Sequence, residues 1–334
     1  MKKSLAIEVK KLTKYYGDLL AVDAINFQVE EGEVFGFLGP NGAGKTTTQR
    51  MLATLLEPTA GQIHIQGHDL SQSPYQAKRV MGLVPEESNV YTELTAWGNL
   101  MFTARLYRVP AERRQSRARE LLDSFGLWEK RDVKVEEFSK GMQRRLSIAM
   151  AIIHQPRLLF LDEPTPGLDA QSARTIRDLI REMNAQGTTV FLTTHQIEEA
   201  NQLCDRVAII NHGKIAAIDT PEKLKSAFQR VQSVEISFES NGEIADNVLD
   251  NLPQVSKVVK RGDKWRMYTE DPPALLFELT DFARSQGKKI LSLNTWSPSL
   301  EDVFLEITGQ EIGTIRHDQQ PKGKRKPTKK RRSR

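Results

Sequence analysis

Residues 39–47 read Gly-Pro-Asn-Gly-Ala-Gly-Lys-Thr-Thr. They fit G-x-x-x-x-G-K-[ST], a loop whose backbone N–H groups cradle phosphate. Before it, the apolar run Val34-Phe35-Gly36-Phe37-Leu38 predicts a short buried strand; after it, a helical pattern runs from Thr46 to Leu56. Strand, glycine-rich loop and helix in that order aim N–H groups and a helix N-terminus at one anion. Gly39, Gly42 and Gly44 leave room for phosphate oxygens and permit positive φ. Lys45 brings a positive charge to the β- and γ-phosphates, and the Thr46 hydroxyl is placed to ligate Mg²⁺. Asn41, Ala43 and Thr47 complete the expected nucleotide-binding loop.

A second motif suits the same ligand. Leu158-Leu159-Phe160-Leu161 is a continuous apolar run, as in a central parallel strand, and it ends in Asp162-Glu163. Asp162 can hold the Mg²⁺ shell, and Glu163 can orient or deprotonate an attacking water. His195 stands at the end of a further expected strand, Thr188–Thr194. In a parallel sheet the strand C-termini gather at one edge, where ligands bind. Strands ending at Leu38, Leu161 and Thr194 would bring Lys45, Glu163 and His195 together. The candidate catalytic set is therefore Lys45, Glu163 and His195, serving a nucleotide and Mg²⁺.

Around these motifs strands and helices alternate, which argues for an α/β core with a parallel sheet. Residues 5–30 read as paired strands turning at Gly17-Asp18, Gly61–Gly67 and Val80–Val84 as further strands, and 94–151 as a mainly helical block broken near Pro110 and Gly126. A helix from Ala170 to Gln186, another beginning near Ile197 and a strand at Arg206–Ile210 complete a first domain over 1–230. A second, small α+β domain is expected over 231–312. There Val234–Phe238, Val255–Lys260, Trp265–Thr269 and Lys288–Trp296 read as strands, and Ile244–Leu252 and Pro273–Gln286 as helices. Their order is the split βαβ pattern. A last helix is expected over Leu300–Ile307, and a disordered basic tail over 313–334.

The chain has 334 residues, enough for two domains, and a net charge of +5. Residues 316–334 hold ten Lys or Arg against one Asp, so the other 315 residues sum to −4. No run approaches the roughly 18 apolar residues of a membrane span, and no signal peptide is evident at the N-terminus. The one cysteine, Cys204, reads as a buried packing residue. These features favour the cytoplasm.

The motif set resembles the ATP-binding cassette family. Phe138-Ser139-Lys140-Gly141-Met142-Gln143 resembles that family's signature loop, commonly Leu-Ser-Gly-Gly-Gln. Ser139, Gly141 and Gln143 are kept, while Lys140 and Met142 depart. Gly167-Leu168-Asp169 resembles the loop in which the Asp meets a partner subunit, and Tyr16 matches the aromatic that stacks on adenine. The family's Gln after the strand ending at Pro85 is here Glu86, which can also bind Mg²⁺. The stretch from Leu83-Val84-Pro85-Glu86 to Thr92-Glu93-Leu94-Thr95, and Ser299-Leu300-Glu301-Asp302-Val303-Phe304-Leu305-Glu306, resemble the branch of drug, lipid and polysaccharide exporters.

The resemblance covers residues 5–225. It implies a P-loop ATPase core with an antiparallel β subdomain and a helical subdomain. It implies also a head-to-tail dimer, expected to be a homodimer, with each ATP between the phosphate loop of one chain and Ser139 and Gly141 of the other. The partner it implies is a multi-span membrane permease, with this chain peripheral at the cytoplasmic face of the cell membrane. The basic tail could touch anionic lipid; nucleic acid is disfavoured, since the tail lacks interleaved aromatics. The rival reading is a soluble ATPase of this family acting on ribosomes or nucleic acid. A single phosphate loop, with neither a second cassette nor a coiled-coil insert, weighs against that rival.

Overall fold

The computed structural model describes residues 4–227, 232–239, 249–250, 252–296 and 299–308. Strands β1 (Leu5–Tyr16) and β2 (Leu19–Glu30) form a hairpin that turns at Gly17, where φ is +57°. β3 (Val34–Leu38) leads into the phosphate loop and α1 (Lys45–Leu52) leaves it. β4 (Ala60–Ile65) and β5 (His68–Asp69) join the hairpin in an antiparallel sheet of order β2-β1-β4-β5. Helix α1 stops four residues short of the expected Leu56. Thr54 takes a left-handed φ of +58°, which ends the helical run.

Next come α2 (Pro74–Arg79), β6 (Met81–Val84) and three helices, α3 (Ala96–Leu106), α4 (Ala111–Ser124) and α5 (Lys140–Ala151). Breaks fall at the expected places: Pro110 caps α4, and Gly126 follows it at φ +62°. The chain then returns as β7 (Leu158–Asp162), α6 (Ala170–Ala185), β8 (Thr189–Thr194), α7 (Ile197–Leu203), β9 (Arg206–Asn211), β10 (Lys214–Asp219) and α8 (Pro221–Ala227).

The central sheet has the order β10-β9-β3-β8-β7-β6. All its pairs are parallel except β10 with β9. Strand β10 escapes a sequence reading because Lys-Ile-Ala-Ala-Ile-Asp is a half-exposed edge with little apolar alternation. The sheet is buried on both faces, which is why β3, β7 and β8 read as unbroken apolar runs. On one face Phe35, Phe37, Phe160 and Phe191 meet Phe27 of the antiparallel sheet, with ring centroids 5.6–6.1 Å apart for Phe27–Phe35, Phe27–Phe37 and Phe27–Phe191. On the other, Leu159, Leu161, Val190 and Leu192 pack under the helices. The register places Leu38 beside Thr194, Asp162 beside Thr193 and Val84 beside Leu161, so four strand ends share one edge.

A third sheet has the order β12-β13-β11-β14, built from β11 (Gln232–Phe238), β12 (Lys257–Arg261), β13 (Lys264–Thr269) and β14 (Ile290–Trp296). Its pairs are all antiparallel. Helix α9 (Pro272–Ser285) packs Leu275, Leu279 and Ala283 against it. The expected helix at 244–252 falls mostly outside the described residues, as does the whole of 313–334.

Among the described residues, the last helix, α10 (Leu300–Thr308), contributes nothing to this sheet's apolar core. Leu300, Val303 and Phe304 instead enter the core that lies under the helices of the first unit, with Leu203 and Leu224. Tyr268 Oη of β13 donates a 2.9 Å hydrogen bond to Asp302 of α10, and both residues are buried. This buried hydrogen bond joins the third sheet to the helix that is rooted in the first unit.

Candidate active site

The phosphate loop is held open by its glycines. A Cβ on Gly39 would lie 2.4 Å from the Ile210 carbonyl oxygen. Gly44 sits at φ +106°, and a Cβ there would lie 2.7 Å from the Ala21 carbonyl oxygen. Gly44 caps α1 without any side-chain hydrogen bond, and no acidic residue stands in the first turn. The helix N-terminus is therefore left for an external anion.

Lys45 is buried at 7% exposure, and its ammonium donates to the carbonyls of Gly39 (2.8 Å) and Pro40 (3.2 Å). It also lies 3.6 Å from Glu163 Oε1. Burial pushes the Lys45 pKa down, and the carboxylates of Glu163, Asp162 and Glu86 oppose that shift.

The two carboxylates at the end of β7 are buried and separately held. Asp162 Oδ1 accepts from the Thr193 hydroxyl at 2.5 Å and lies 3.5 Å from the Thr46 hydroxyl. Glu163 leaves the sheet at φ +46°, in the left-handed region, and its N–H donates to the Thr193 carbonyl at 3.0 Å. Its carboxylate lies 3.0 Å from His195 Nδ1. Contact with Glu163 raises the His195 pKa, and partial burial opposes the rise. Lys45, Thr46, Asp162, Glu163 and His195 therefore share one sheet edge. Thr165, two residues beyond Glu163, donates at 2.7 Å to the buried Glu199 of α7. Burial is the main cause of that carboxyl's raised pKa.

Other sequence-predicted residues sit elsewhere. Ser139 is the N-cap of α5 and accepts from Met142 N–H at 3.3 Å. Gly141 faces α6, and a Cβ there would lie 2.3 Å from Ser172 Oγ. Ser172 is held in turn by Asp169, whose carboxylate accepts its N–H at 2.8 Å and its hydroxyl at 2.7 Å. These bonds lower the Asp169 pKa. Ser139, Gly141 and Asp169 thus lie on two adjoining helix N-termini, with no hydrogen bond to the phosphate loop. Gln143 spends its amide within its own loop, donating to the carbonyls of Phe138 (3.2 Å) and Val135 (3.4 Å). Tyr16 is exposed at the end of β1, with the Lys14 ammonium 5.5 Å from its ring centroid. Asn41 and Gly42 are exposed at the loop tip, Ala43 is buried, and Thr47 is half-buried. Glu86 is exposed just past the end of β6.

One residue that the motifs do not flag is bound into this site. Arg144 of α5 is 4% exposed and donates to the carbonyls of Asp162 (2.6 Å), Glu163 (2.8 Å), Pro164 (3.1 Å) and Glu86 (3.2 Å), and also to that of Pro85. Only its position just over one turn into α5, the helix that Ser139 caps, could have drawn attention to it.

A phosphate cradle, a lysine among carboxylates and a Glu–His pair at one edge of a parallel sheet define a P-loop ATPase. Comparison with known proteins agrees. The family described as "ABC transporter" matches residues 22–166. The daunorubicin/doxorubicin resistance ATP-binding protein DrrA of Streptomyces peucetius is 38% identical over 307 residues, covering 91% of this chain and 92% of that one. The Nod factor export ATP-binding protein I of Rhizobium sp. (strain N33) is 37% identical over 92% of this chain and 98% of its own length. The linearmycin resistance ATP-binding protein LnrL of Bacillus subtilis (strain 168) is 35% identical over 92% of this chain and 99% of its own.

Among solved structures, an ATP-binding subunit of an ABC transporter superposes with a TM-score of 0.62 at 32% identity, covering 67% of this chain and 93% of that one. The dimeric post-hydrolysis state of the ATP-binding cassette MJ0796, bound to ADP and Pi, superposes with a TM-score of 0.58 at 28% identity. It covers 64% of this chain and 98% of that one. This chain belongs to the ABC transporter family; it is an ATP-binding subunit that hydrolyses ATP.

Proposed function

We propose that this chain drives an export permease, a separate multi-span subunit, from the cytoplasmic face of the cell membrane. The observation that carries the reading is the convergence of Lys45, Glu163 and His195 at the edge that holds the phosphate loop. Lys45 and the α1 N-terminus bind and orient the phosphates, and Glu163 orients the attacking water with His195 beside it. Thr46, Asp162 and Glu86 would hold Mg²⁺, which neutralises charge on the β- and γ-phosphates. Two oxygen donors 3.5 Å apart, with few further protein ligands, suit an ion that keeps several waters. Tyr16 is the surface on which adenine stacks.

Two copies pair head to tail, each offering Ser139, Gly141 and Asp169 to the other's ATP. The γ-phosphate draws the N-terminus of α5 across the interface, and its loss on hydrolysis releases it. The similar resistance and export proteins support the outward direction.

The permease docks near Glu86 and the helical block. Between α2 and the ends of α3 and α4 lies an open cleft of about 600 Å³ that includes Tyr75, Lys78, Arg79, Tyr107 and Arg113. Among the described residues Lys78, Arg79 and Arg113 form no ion pair, so an acidic loop of the permease suits this cleft. The tail, with nine more positive than negative charges, adds attraction to anionic headgroups.

The test is to recover tagged Glu163→Gln protein with ATP from its native membranes and identify its companions by mass spectrometry. A multi-span permease supports the reading. Ribosomal or nucleic-acid partners without a membrane protein would replace it with the soluble rival. Deleting 316–334 should abolish salt-sensitive binding to anionic vesicles, and absence of such binding at low salt would refute the lipid contact.

A further inference from the structure

Arg144 is the most heavily engaged buried cation in the described part of the chain, yet none of its bonds goes to a carboxylate. A guanidinium cannot shed its charge inside a protein, and burial pulls its pKa down from the usual arginine value. Burying such a charge is costly unless all its donors are satisfied. Here the fork is satisfied by backbone carbonyls from two segments. Asp162, Glu163 and Pro164 supply three in succession, and Pro85 and Glu86 supply two.

The three successive carbonyls surround the residue with the unusual backbone. Glu163 sits at φ +46°, a region in which a non-glycine residue is strained. Such a conformation persists only where its surroundings over-determine it. The Glu163 N–H is fixed by Thr193 of β8, and the carbonyls on and around Glu163 are fixed by Arg144 of α5. The carboxylate can then reach His195 and Lys45.

Arg144 is also one helical turn beyond Gly141, whose backbone is pressed against Ser172. Any rotation of α5 must carry the guanidinium with it. A shift at the N-terminus of α5 therefore arrives at the Glu163 turn and at the Glu86 segment as a change in the same set of hydrogen bonds.

We propose that Arg144 is a positioning residue: it holds the left-handed Glu163 turn in hydrolytic geometry and couples that turn to the Pro85-Glu86 segment and to α5. This rests on the reading of Glu163 as the residue that orients water, which Glu163→Gln alone tests. Lysine at 144 keeps the charge but loses the fork, and glutamine keeps a donor but loses the charge.

The experiment measures kcat and KM for ATP in the full chain for Arg144→Lys and Arg144→Gln. Each is made in the native sequence and in the Glu163→Gln background. We expect kcat to fall at least tenfold for both variants, with KM for ATP within threefold of the parent, because the phosphate loop makes no bond to Arg144. On top of Glu163→Gln, neither substitution should lower the residual rate further, since the group it positions is already gone. Unchanged kcat, a KM that rises in proportion to the loss, or a loss that multiplies that of Glu163→Gln would each overturn the assignment. Failure of both variants to fold would make Arg144 a purely structural residue and overturn it equally.

Discussion

The Glu163 carboxylate stands 3.0 Å from His195 Nδ1, and the two reach that contact from neighbouring strand ends, β7 and β8. The contact has a definite pH signature. Glu163 raises the His195 pKa above the ordinary histidine value of about 6.5. A raised pKa means that the folded state holds the imidazolium more tightly than the unfolded state does. The contribution to stability is full below the unfolded pKa and is lost as pH rises through the folded one. Glu163→Gln should therefore lower the His195 pKa, read by NMR titration of the imidazole. A His195 that titrates at the same pH or higher in that variant would contradict the pairing.

Lys45→Ala should lose ATP affinity by tenfold or more. Its ammonium is buried against the loop carbonyls, 3.6 Å from Glu163, and bound phosphates would add charge-assisted hydrogen bonds to it. Isothermal titration with a slowly hydrolysed ATP analogue reads this directly. Unchanged affinity would count against the phosphate cradle.

Gly141→Ala should damage the N-terminus of α5 rather than the phosphate loop. The added methyl would lie 2.3 Å from Ser172 Oγ, and overpacking of this kind costs about 1–3 kcal/mol. Thermal unfolding should show that loss, with ATP binding by the isolated chain retained. Native stability would mean that Ser172 yields, and Gly141 would then need another explanation.

Phe304→Ala should destabilise the first unit as well as the C-terminal one, by about 3–5 kcal/mol. Among the described residues, the ring is buried in the core under the helices of the first unit rather than in that of the third sheet. Hydrogen exchange should show lost protection in α7 and α8. Loss confined to the third sheet would contradict that packing.

Much of this was legible in the sequence because buried parallel strands announce themselves as apolar runs. Val34–Leu38 and Leu158–Leu161 located the sheet, and the charged residues just past their ends located the candidate site. What stayed hidden depends on contacts distant in the chain. Arg144 is one more arginine in a basic helix until α5 is laid across the Glu163 turn. Gln143 sits in the signature loop, yet its amide turns back on Val135 and Phe138, which spacing cannot show. Leu300, Val303 and Phe304 make an amphipathic pattern that fits either core, and only the fold assigns them to the first unit.

The most direct test of the catalytic reading is the mass of the Glu163→Gln protein in solution, measured by light scattering with and without ATP and Mg²⁺, alongside its hydrolysis rate. If Glu163 orients the water and ATP joins two copies, hydrolysis falls by about 10²–10⁴-fold and the protein doubles in mass only with nucleotide. A monomer under both conditions that hydrolyses ATP at the native rate would contradict both the role of Glu163 and the paired site.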